Sequence, residues 1–397
     1  MDDTRTPTRV ALLDYFSTLE DHRIERTMKH SMTDILVIAI CGFICGVDEW
    51  VELQAFGEAK KEWFKTFLSL PNGIPSHDTF GRFFAALDPE EFSRCFTAWV
   101  KAISELTAGE VVAIDGKTLR RSFDHASSKA AIHMVSAWAS KNSLVLGQVK
   151  TEEKSNEITA IPKLLEILFL EGCIVTIDAM GCQREIVARI IDKGADYVIS
   201  LKGNQEKLHL ATEAFFQEAR EESFETVQHA YTETLEKDHG RIERRRHWIS
   251  PKLDWFREKD EWAGLTSVGM VESRRTIGDQ TSTEVRYFIS SLAGDNAEKF
   301  AVAVRKHWTV ENNLHWVLDV AFDEDHCRVR KGNAPENMAM LRHVALNLLK
   351  ADTTTDGGIK VRRKKAGWSH DYLAFLLGAP NAYKPRLPLK GPRAARK

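Results

Sequence analysis

CIVTID, Cys173 to Asp178, is a short β-branched run that ends in an aspartate, and VVAID, Val111 to Asp115, sets the same pattern upstream. Continuous apolar runs of this length read as strands buried on both faces, as in parallel sheets flanked by helices. Ligands of open α/β sheets gather at the carboxyl ends of such strands. A carboxylate has no apolar reason to sit there, because an uncompensated charge in low dielectric costs roughly several kcal/mol. Asp115 and Asp178 therefore call for a cation. A third acidic group follows in HWTVENNLHW, at Glu311. Two aspartates and a glutamate that converge can hold two divalent ions about 3.5–4 Å apart, clamping the attacking and leaving oxygens of an in-line phosphoryl displacement. Hard oxygen ligands suit magnesium or manganese.

Around these runs the chain alternates. VVAID is followed by HMVSAWAS and then SLVLGQVKT, with Lys141-Asn142 as a hairpin-like turn between the last two. A helix is expected from about Glu157 to Leu170, then CIVTID, a helix near Gln183 to Ile191, and the strand ADYVISLK. An antiparallel meander feeding an alternating helix and strand half is the layout of a ribonuclease H-like α/β core. In that layout the first and fourth strands are neighbours, which brings Asp115 beside Asp178.

Five segments follow from the periodicity. Residues 1–105 read as an N-terminal helical domain, a candidate for DNA binding, and 106–223 as the first part of the catalytic core. Residues 224–292 alternate and are rich in Thr, Val and aromatics, which predicts an inserted β-rich subdomain. Helical spacing returns in 293–350, the final part of the core carrying the glutamate, and 351–397 reads as a linker and basic tail. Within the first segment, Ser31 with Asp34 predicts a helix cap. The two short helices of IPSHDTFGRFFAALDPEEFSRCFTAWV fit a helix-turn-helix and an ordinary helical hairpin equally well.

The 397 residues, 43% apolar and 28% charged, allow two or three domains with a substantial core. Formal net charge is only −2, so nucleic-acid binding would rest on local patches. HGRIERRRH at His239 to His247 is one such patch, and the tail, with VRRKK and KPRLPLKGPRAARK, is another. Both would also serve as plain solvated charge. MDDTRTPTRV lacks the apolar core of a secretory signal. The longest apolar stretch, ILVIAICGFICGV, is too short for a membrane helix and reads as a core helix. Six cysteines lie without a CxxC pair, which fits a reducing cytoplasm, and Cys41 and Cys45 read as packed thiols. No GxxxxGK[ST] loop and no zinc-ligand spacing appears, which leaves ATP-driven chemistry and a zinc site without support.

Each candidate has an ordinary alternative. Asp115 opens DGKTLRRS, so Lys117, Arg120 and Arg121 could receive DNA phosphates beside the metal, or Lys117 could simply pair with Asp115. Asp178 could cap the following helix. Glu311 competes with Asp319, Asp323, Glu324 and Asp325 just beyond it. His307, Glu311 and His315, spaced by four, predict one polar stripe on a helix, with the imidazoles as proton relays or phosphate donors. Arg328, Arg330 and Lys331 in CRVRKGNAPEN could bind backbone phosphate. Trp308 and Trp316 read as core.

Taken together, LLDYFSTLEDHR, GIPSHDTFGRFF, AIDGKTLRRS, KSNEITAIPKLL, TIDAMGCQ, GADYVISLKGNQ, HGRIERR, HWTVENNLHWVLDVAFDED and NMAMLRHVALNLLK resemble the blocks of the ISAs-type insertion-sequence transposases, in family order. That group includes the H-repeat-associated proteins and belongs to the DDE superfamily. The resemblance implies a ribonuclease H-like core whose acidic triad, Asp115, Asp178 and Glu311, binds two magnesium ions. It implies recognition of terminal inverted repeats in double-stranded DNA, hydrolytic release of a 3′-hydroxyl, transfer of that end to target DNA, and a homodimer in a bacterial cytoplasm, with no membrane partner. The sequence departs from the related IS-four-like group, whose glutamate lies in a Y-R-E-K pattern: the matching positions here are Val304, His307 and Leu318. Those secondary roles do not transfer. The alternatives are a nuclease of the same fold without strand transfer, and a DNA-binding remnant that has lost catalysis.

Overall fold

The structure, a computed structural model, describes residues 12–21, 23, 28–104, 106–123, 130–152, 156–238 and 240–378. MDDTRTPTRV, His239 and KPRLPLKGPRAARK lie outside them. The chain divides into two compact units, one built from residues up to Ile103 and from Val317 onward, the other from Ser104 to Trp316.

The first unit opens with α1 (Leu12–Phe16), α2 (Met32–Cys45), α3 (Trp50–Ala59), α4 (Lys61–Phe64), α5 (His77–Ala86) and α6 (Pro89–Ile103). The apolar stretch from Ile35 is indeed a core helix: Ile35 to Ile44 are all buried in α2. Ser31 caps it, its hydroxyl accepting from the Asp34 N–H at 3.0 Å, and Gly46 at φ +103° ends it in the left-handed region that favours glycine.

The second unit is one nine-stranded sheet with helices. β1 (Val111–Thr118), β2 (His133–Ala139) and β3 (Leu144–Lys150) form the meander; then follow α7 (Glu157–Ile167), β4 (Ile174–Ile177), α8 (Arg184–Asp192), β5 (Asp196–Leu201) and α9 (Glu206–Glu221). β6 (Ala230–Asp238), β7 (Arg241–Ser250), β8 (Ser267–Ile277) and β9 (Gln280–Ser290) complete it, and α10 (Ala297–His307) returns across one face. The strand order is β3-β2-β1-β4-β5-β9-β8-β7-β6. Where the sequence predicts an inserted β subdomain, the four strands do not close on themselves. They extend the central sheet, because β9 pairs antiparallel with β5 from Val198↔Ser290 to Leu201↔Tyr287.

The meander and the alternating half are where the sequence expects them. β1 runs parallel to β4 from Val111↔Ile174 to Ile114↔Ile177, and β4 parallel to β5. β1 does not end at Asp115, however. It runs on to Thr118 against β2, which exchanges backbone bonds with it along its whole length. Asp115 thus stands where the parallel partner stops, not where the strand stops.

Alternation assigns the faces. Val111, Ile174, Val198, Ile249, Val271 and Phe288 form one apolar floor with Phe300, Ala303 and Val304 of α10 upon it. Gly269 is what lets the helix approach: a Cβ there would lie 2.3 Å from the Phe300 ring. By period two, Asp115 and Asp178 project on this same face as Val111 and Ile174. α7 covers the opposite face, where Leu164 and Leu168 pack at Gly147 of β3.

After a π-helical turn at Glu311–His315 the chain enters α11 (Trp316–Phe322), α12 (Ala334–Ala351), α13 (Ile359–Trp368) and α14 (His370–Leu376). Residues 317–350, which the sequence reading joins to the core, thereby fall in the helical unit. So does VRRKK, expected as basic tail: it forms part of α13, and Arg363, 4% exposed, donates to the carbonyls of Phe43 and Val47 and to Asp48. α12 is tied to α5 by Asn337, which donates to the carbonyls of Phe84 and Leu87.

Candidate active site

The parallel register decides where the first two carboxylates sit. Ile114 and Ile177 are the last Cα partners of β1 and β4, so Asp115 and Asp178 are the next residues of adjacent strands. Asp178 leaves β4 and its carboxylate accepts from the Met180 N–H at 3.0 Å, starting a 3-10 turn at Ala179–Gly181. The capping alternative is therefore real, and it coexists with a place in the cleft because a carboxylate has lone pairs to spare.

Both aspartates line a cavity of about 270 Å³ with Lys202, Arg286, His307, Trp308 and Glu311. Burial, and then the negative charges of Glu157, Asp178 and Glu311, push the Asp115 carboxyl up to about 7, against the pull of the Gly116 N–H. Burial and Glu157 also raise Asp178. Negative charge has been gathered here without full neutralisation, which is how a cation site behaves before its ion is counted. The donors are hard oxygens, so charge and chemistry fit magnesium or manganese. Among the described residues no three His, Cys, Asp or Glu side chains stand close enough to ligate one ion together. What the side chains provide is a pair on adjacent strands with Glu311 on the same cavity wall.

The helical stripe expected of His307, Glu311 and His315 takes another form. α10 ends at His307, and Glu311–His315 is wound as a π-helical turn whose closing bond runs from the Trp316 N–H to the Glu311 carbonyl. The wider turn breaks the four-residue repeat between Glu311 and His315. His307 points at the sheet, with Nδ1 3.2 Å from the Thr176 hydroxyl, and burial drives its pKa down to about 4. It is neutral at ordinary pH and is not a cationic phosphate donor. His315 instead approaches Asp115, Nδ1 to Oδ2 at 3.5 Å, and its carbonyl accepts from Lys117 Nζ at 3.5 Å.

Arg120 and Arg121 sit in the turn after β1 and are not among the cavity's lining residues. Arg328, Arg330 and Lys331 belong to the helical unit. Two of the rival acids are engaged inside that unit, Glu324 beside buried Arg342 at 3.5 Å and Asp323 with His326 at 2.6 Å. Sequence reasoning missed Lys202, Arg286 and the partial exposure of Trp308. Lys202 carried a usable signal, since it directly follows a buried strand as Asp178 does. Arg286 carried none, because only the β5–β9 pairing brings it to the cleft.

Comparison with known proteins gives the family. The family described as "Transposase DDE domain" matches residues 107–348, and the one described as "DDE_Tnp_1-associated" matches residues 13–100. The "Putative transposase YncI" of Escherichia coli O157:H7 is 44% identical over 93% of this chain and 95% of its own length. The "H repeat-associated putative transposase YhhI" of Escherichia coli (strain K12) is 41% identical over 92% and 97%. A cryo-EM structure of the piggyBac transposase synaptic complex with hairpin DNA aligns over 98% of this chain and 83% of that one, at 10% identity and a TM-score of 0.38, a likeness that fixes neither fold nor function. The chain belongs to the DDE transposase family. Among the described residues no helix is long and apolar enough to cross a membrane.

Proposed function

We propose that this transposase cuts and joins the DNA strands of an insertion sequence in a divalent-metal-dependent reaction on a ribonuclease H-like core, with Asp115, Asp178 and Glu311 as its catalytic carboxylates. The observation that carries the reading is the β1–β4 register, which stops at Ile114↔Ile177 and sets two aspartates side by side in the cavity that Glu311 also lines. The strand order, with β1 between β2 and β4, is the one expected of such a core.

In the first step water attacks a phosphodiester at the element end; a phosphorus–oxygen bond forms to water, the bond to the 3′-oxygen breaks, and a proton ends on that oxygen. In the second, the freed 3′-hydroxyl gives up its proton and its oxygen bonds to a target phosphorus, while the bond from that phosphorus to the target's own 3′-oxygen breaks and that oxygen takes up a proton. Bound divalent ions, held by Asp115, Asp178 and Glu311, would supply Lewis-acid stabilisation of the entering and leaving oxygens. The remaining work falls to the protein. The Met180 N–H fixes Asp178, and His315 and the Gly116 N–H flank Asp115. Lys202 and Arg286 are the cations on the cavity wall that can take the equatorial phosphate oxygens. Neutral His307 anchors the end of α10 to Thr176 of β4. Double-stranded DNA, as element end and as target, is the proposed partner, with two copies of the chain in the active complex.

The test uses purified full-length protein with DNA carrying the element's ends, in magnesium or manganese. Asp115→Asn, Asp178→Asn and Glu311→Gln should each reduce nicking and joining by about 10³-fold or more, and chelation should do the same while leaving DNA binding in place. Full activity in any one variant removes that residue from the assignment. Cleavage without joined product would make the protein a nuclease instead, and end binding without cleavage a decayed remnant.

A further inference from the structure

α10 lies on one face of the sheet, and beyond its apolar floor that face turns basic. The β7–β8 and β8–β9 registers align Arg245 with Ser273 and Glu284, and Glu243 with Arg275 and Ser282. Arg241, two residues from Glu243, continues the face, and Arg305 on α10 looks onto it. The result is a slot of about 500 Å³ that carries five arginines, Arg241, Arg245, Arg275, Arg286 and Arg305, against three glutamates, Glu243, Glu284 and Glu311. His247 adds no charge, because burial lowers its pKa to about 4. Glu236 of β6, opposite Glu243, adds a fourth acid by pairing with Arg245 and Arg305 at 3.1 Å each, so the arginines exceed the glutamates by one positive charge.

The slot is continuous with the carboxylate cavity: Glu284, Arg286, Trp308 and Glu311 line both. Trp308, half-buried at that junction, has the Arg286 guanidinium 4.9 Å from its ring centroid. A positively charged groove with an aromatic platform is the general solution for binding one strand of nucleic acid, since arginines track phosphates and any base can stack. A double helix fits the slot poorly. Its phosphates bring one negative charge per about 1.7 Å, twice the density of one strand, and glutamates stand between the arginines.

We propose that the slot between α10 and the arginine-bearing face of β7, β8 and β9 holds a single strand of nucleic acid and leads it past Trp308 to the carboxylate cavity. The inference rests on the transposase reading for its partner, and it adds which surface carries the strand and in which form.

The sheet itself supplies the control. Arg244 and Arg274 are Cα partners on the same two strands, β7 and β8, and project from the opposite face. Arg241→Ala with Arg275→Ala removes two charges from the slot; Arg244→Ala with Arg274→Ala removes two from the other face. Binding of a fluorescent single-stranded oligonucleotide, and of a duplex of the same length, is measured with the full chain in chelator, so that no chemistry intervenes. The slot pair should lose at least about 10-fold in single-strand affinity, and its slope of log affinity against log salt should fall by about 1.4, at about 0.7 per lost phosphate contact. The control pair should change less than about 2-fold, and Arg305→Ala alone should repeat the slot effect at smaller size. Equal losses in both pairs, or a slot loss confined to the duplex, would overturn the proposal. If wild-type protein cuts element ends while the slot pair keeps its single-strand affinity, the slot is wrong and the transposase reading stands; wild-type protein that neither binds nor cuts DNA overturns both.

Discussion

The two halves of the sheet use one face in opposite ways. In β1, β4 and β5 the face beneath α10 is mostly apolar, apart from Thr176 and from Asp196 at the start of β5, which pairs with Lys299 of α10, and its charges gather where the parallel pairing stops, at Asp115, Asp178 and Lys202. In β7, β8 and β9 the strands are longer and outrun the helix that covers them, so charge spreads along the strands themselves, from Arg286 out to Arg241 and Arg275. Burial on both faces forces ionic groups to strand ends, and strands that project beyond their cover can carry them anywhere on the alternate positions. The acidic cavity and the basic slot are two outcomes of that one difference, and they meet at Glu311.

The comparison predicts that one residue type behaves differently in each half. Ile199 of β5 is fully buried, and Ile242 of β7 is 43% exposed. Ile199→Ala should destabilise by about 2–5 kcal/mol, since lost transfer energy and an unfilled cavity add. Ile242→Ala should stay within about 0.5 kcal/mol. Urea unfolding of both variants measures this; similar costs would mean that the distal strands are packed as tightly as the proximal ones.

A smaller effect is expected at Gly116, next to Asp115 on the face turned toward α7. His133 lies between Thr118 and Glu157, Nδ1 2.9 Å from the Thr118 hydroxyl and Nε2 2.8 Å from the Glu157 carboxylate. A Cβ on Gly116 would come within 2.3 Å of His133 Nε2 and closer still to Glu157. Gly116→Ala should displace this pair and cost about 1–3 kcal/mol, the range for overpacking. The companion variant, Gly116→Ala with Glu157→Ala, should recover part of that loss. No loss in the single variant would show the pair free to move aside.

These elements also mark where the sequence was legible. β1, β4 and β5 could be read because double burial leaves an unbroken apolar run, and the aspartates stand out against it. β7 to β9 could be read as strands, but not as members of the same sheet, since the β5–β9 pairing joins residues about ninety positions apart through no local signal. The stripe of His307, Glu311 and His315 was legible in part: His307 and Glu311 line one cavity and His315 lies beside its Asp115, while the π-helical turn that begins at Glu311 has no signature in the spacing. Arg363 illustrates the limit of charge patterning. In VRRKK it reads as solvated, yet carbonyls of α2 and its C-cap loop, together with Asp48, hold its guanidinium in the core.

The smallest effect tests whether the acidic half is strained by its own charges. Asp115 has its carboxyl pushed up from 3.8 to about 7 by burial and by neighbouring carboxylates. Between those values the folded protein keeps a proton that the unfolded chain releases, so stability falls as pH rises through this window and levels off above it. His307 and His247, each lowered to about 4 by burial, act in the opposite sense, costing stability as pH falls below about 6.5. Their contribution is common to wild type and to Asp115→Asn, so it cancels in the difference between the two. That difference should be near zero at pH 4 and should grow to about 1–3 kcal/mol in favour of the variant by pH 8, less than the full shift implies because Asp115 keeps some solvent contact. Magnesium or manganese at pH 8 should narrow the gap by stabilising wild type alone. Urea-unfolding curves that stay parallel from pH 4 to 8 would mean that the cavity carries no such charge strain, and that the aspartates there are balanced without an ion.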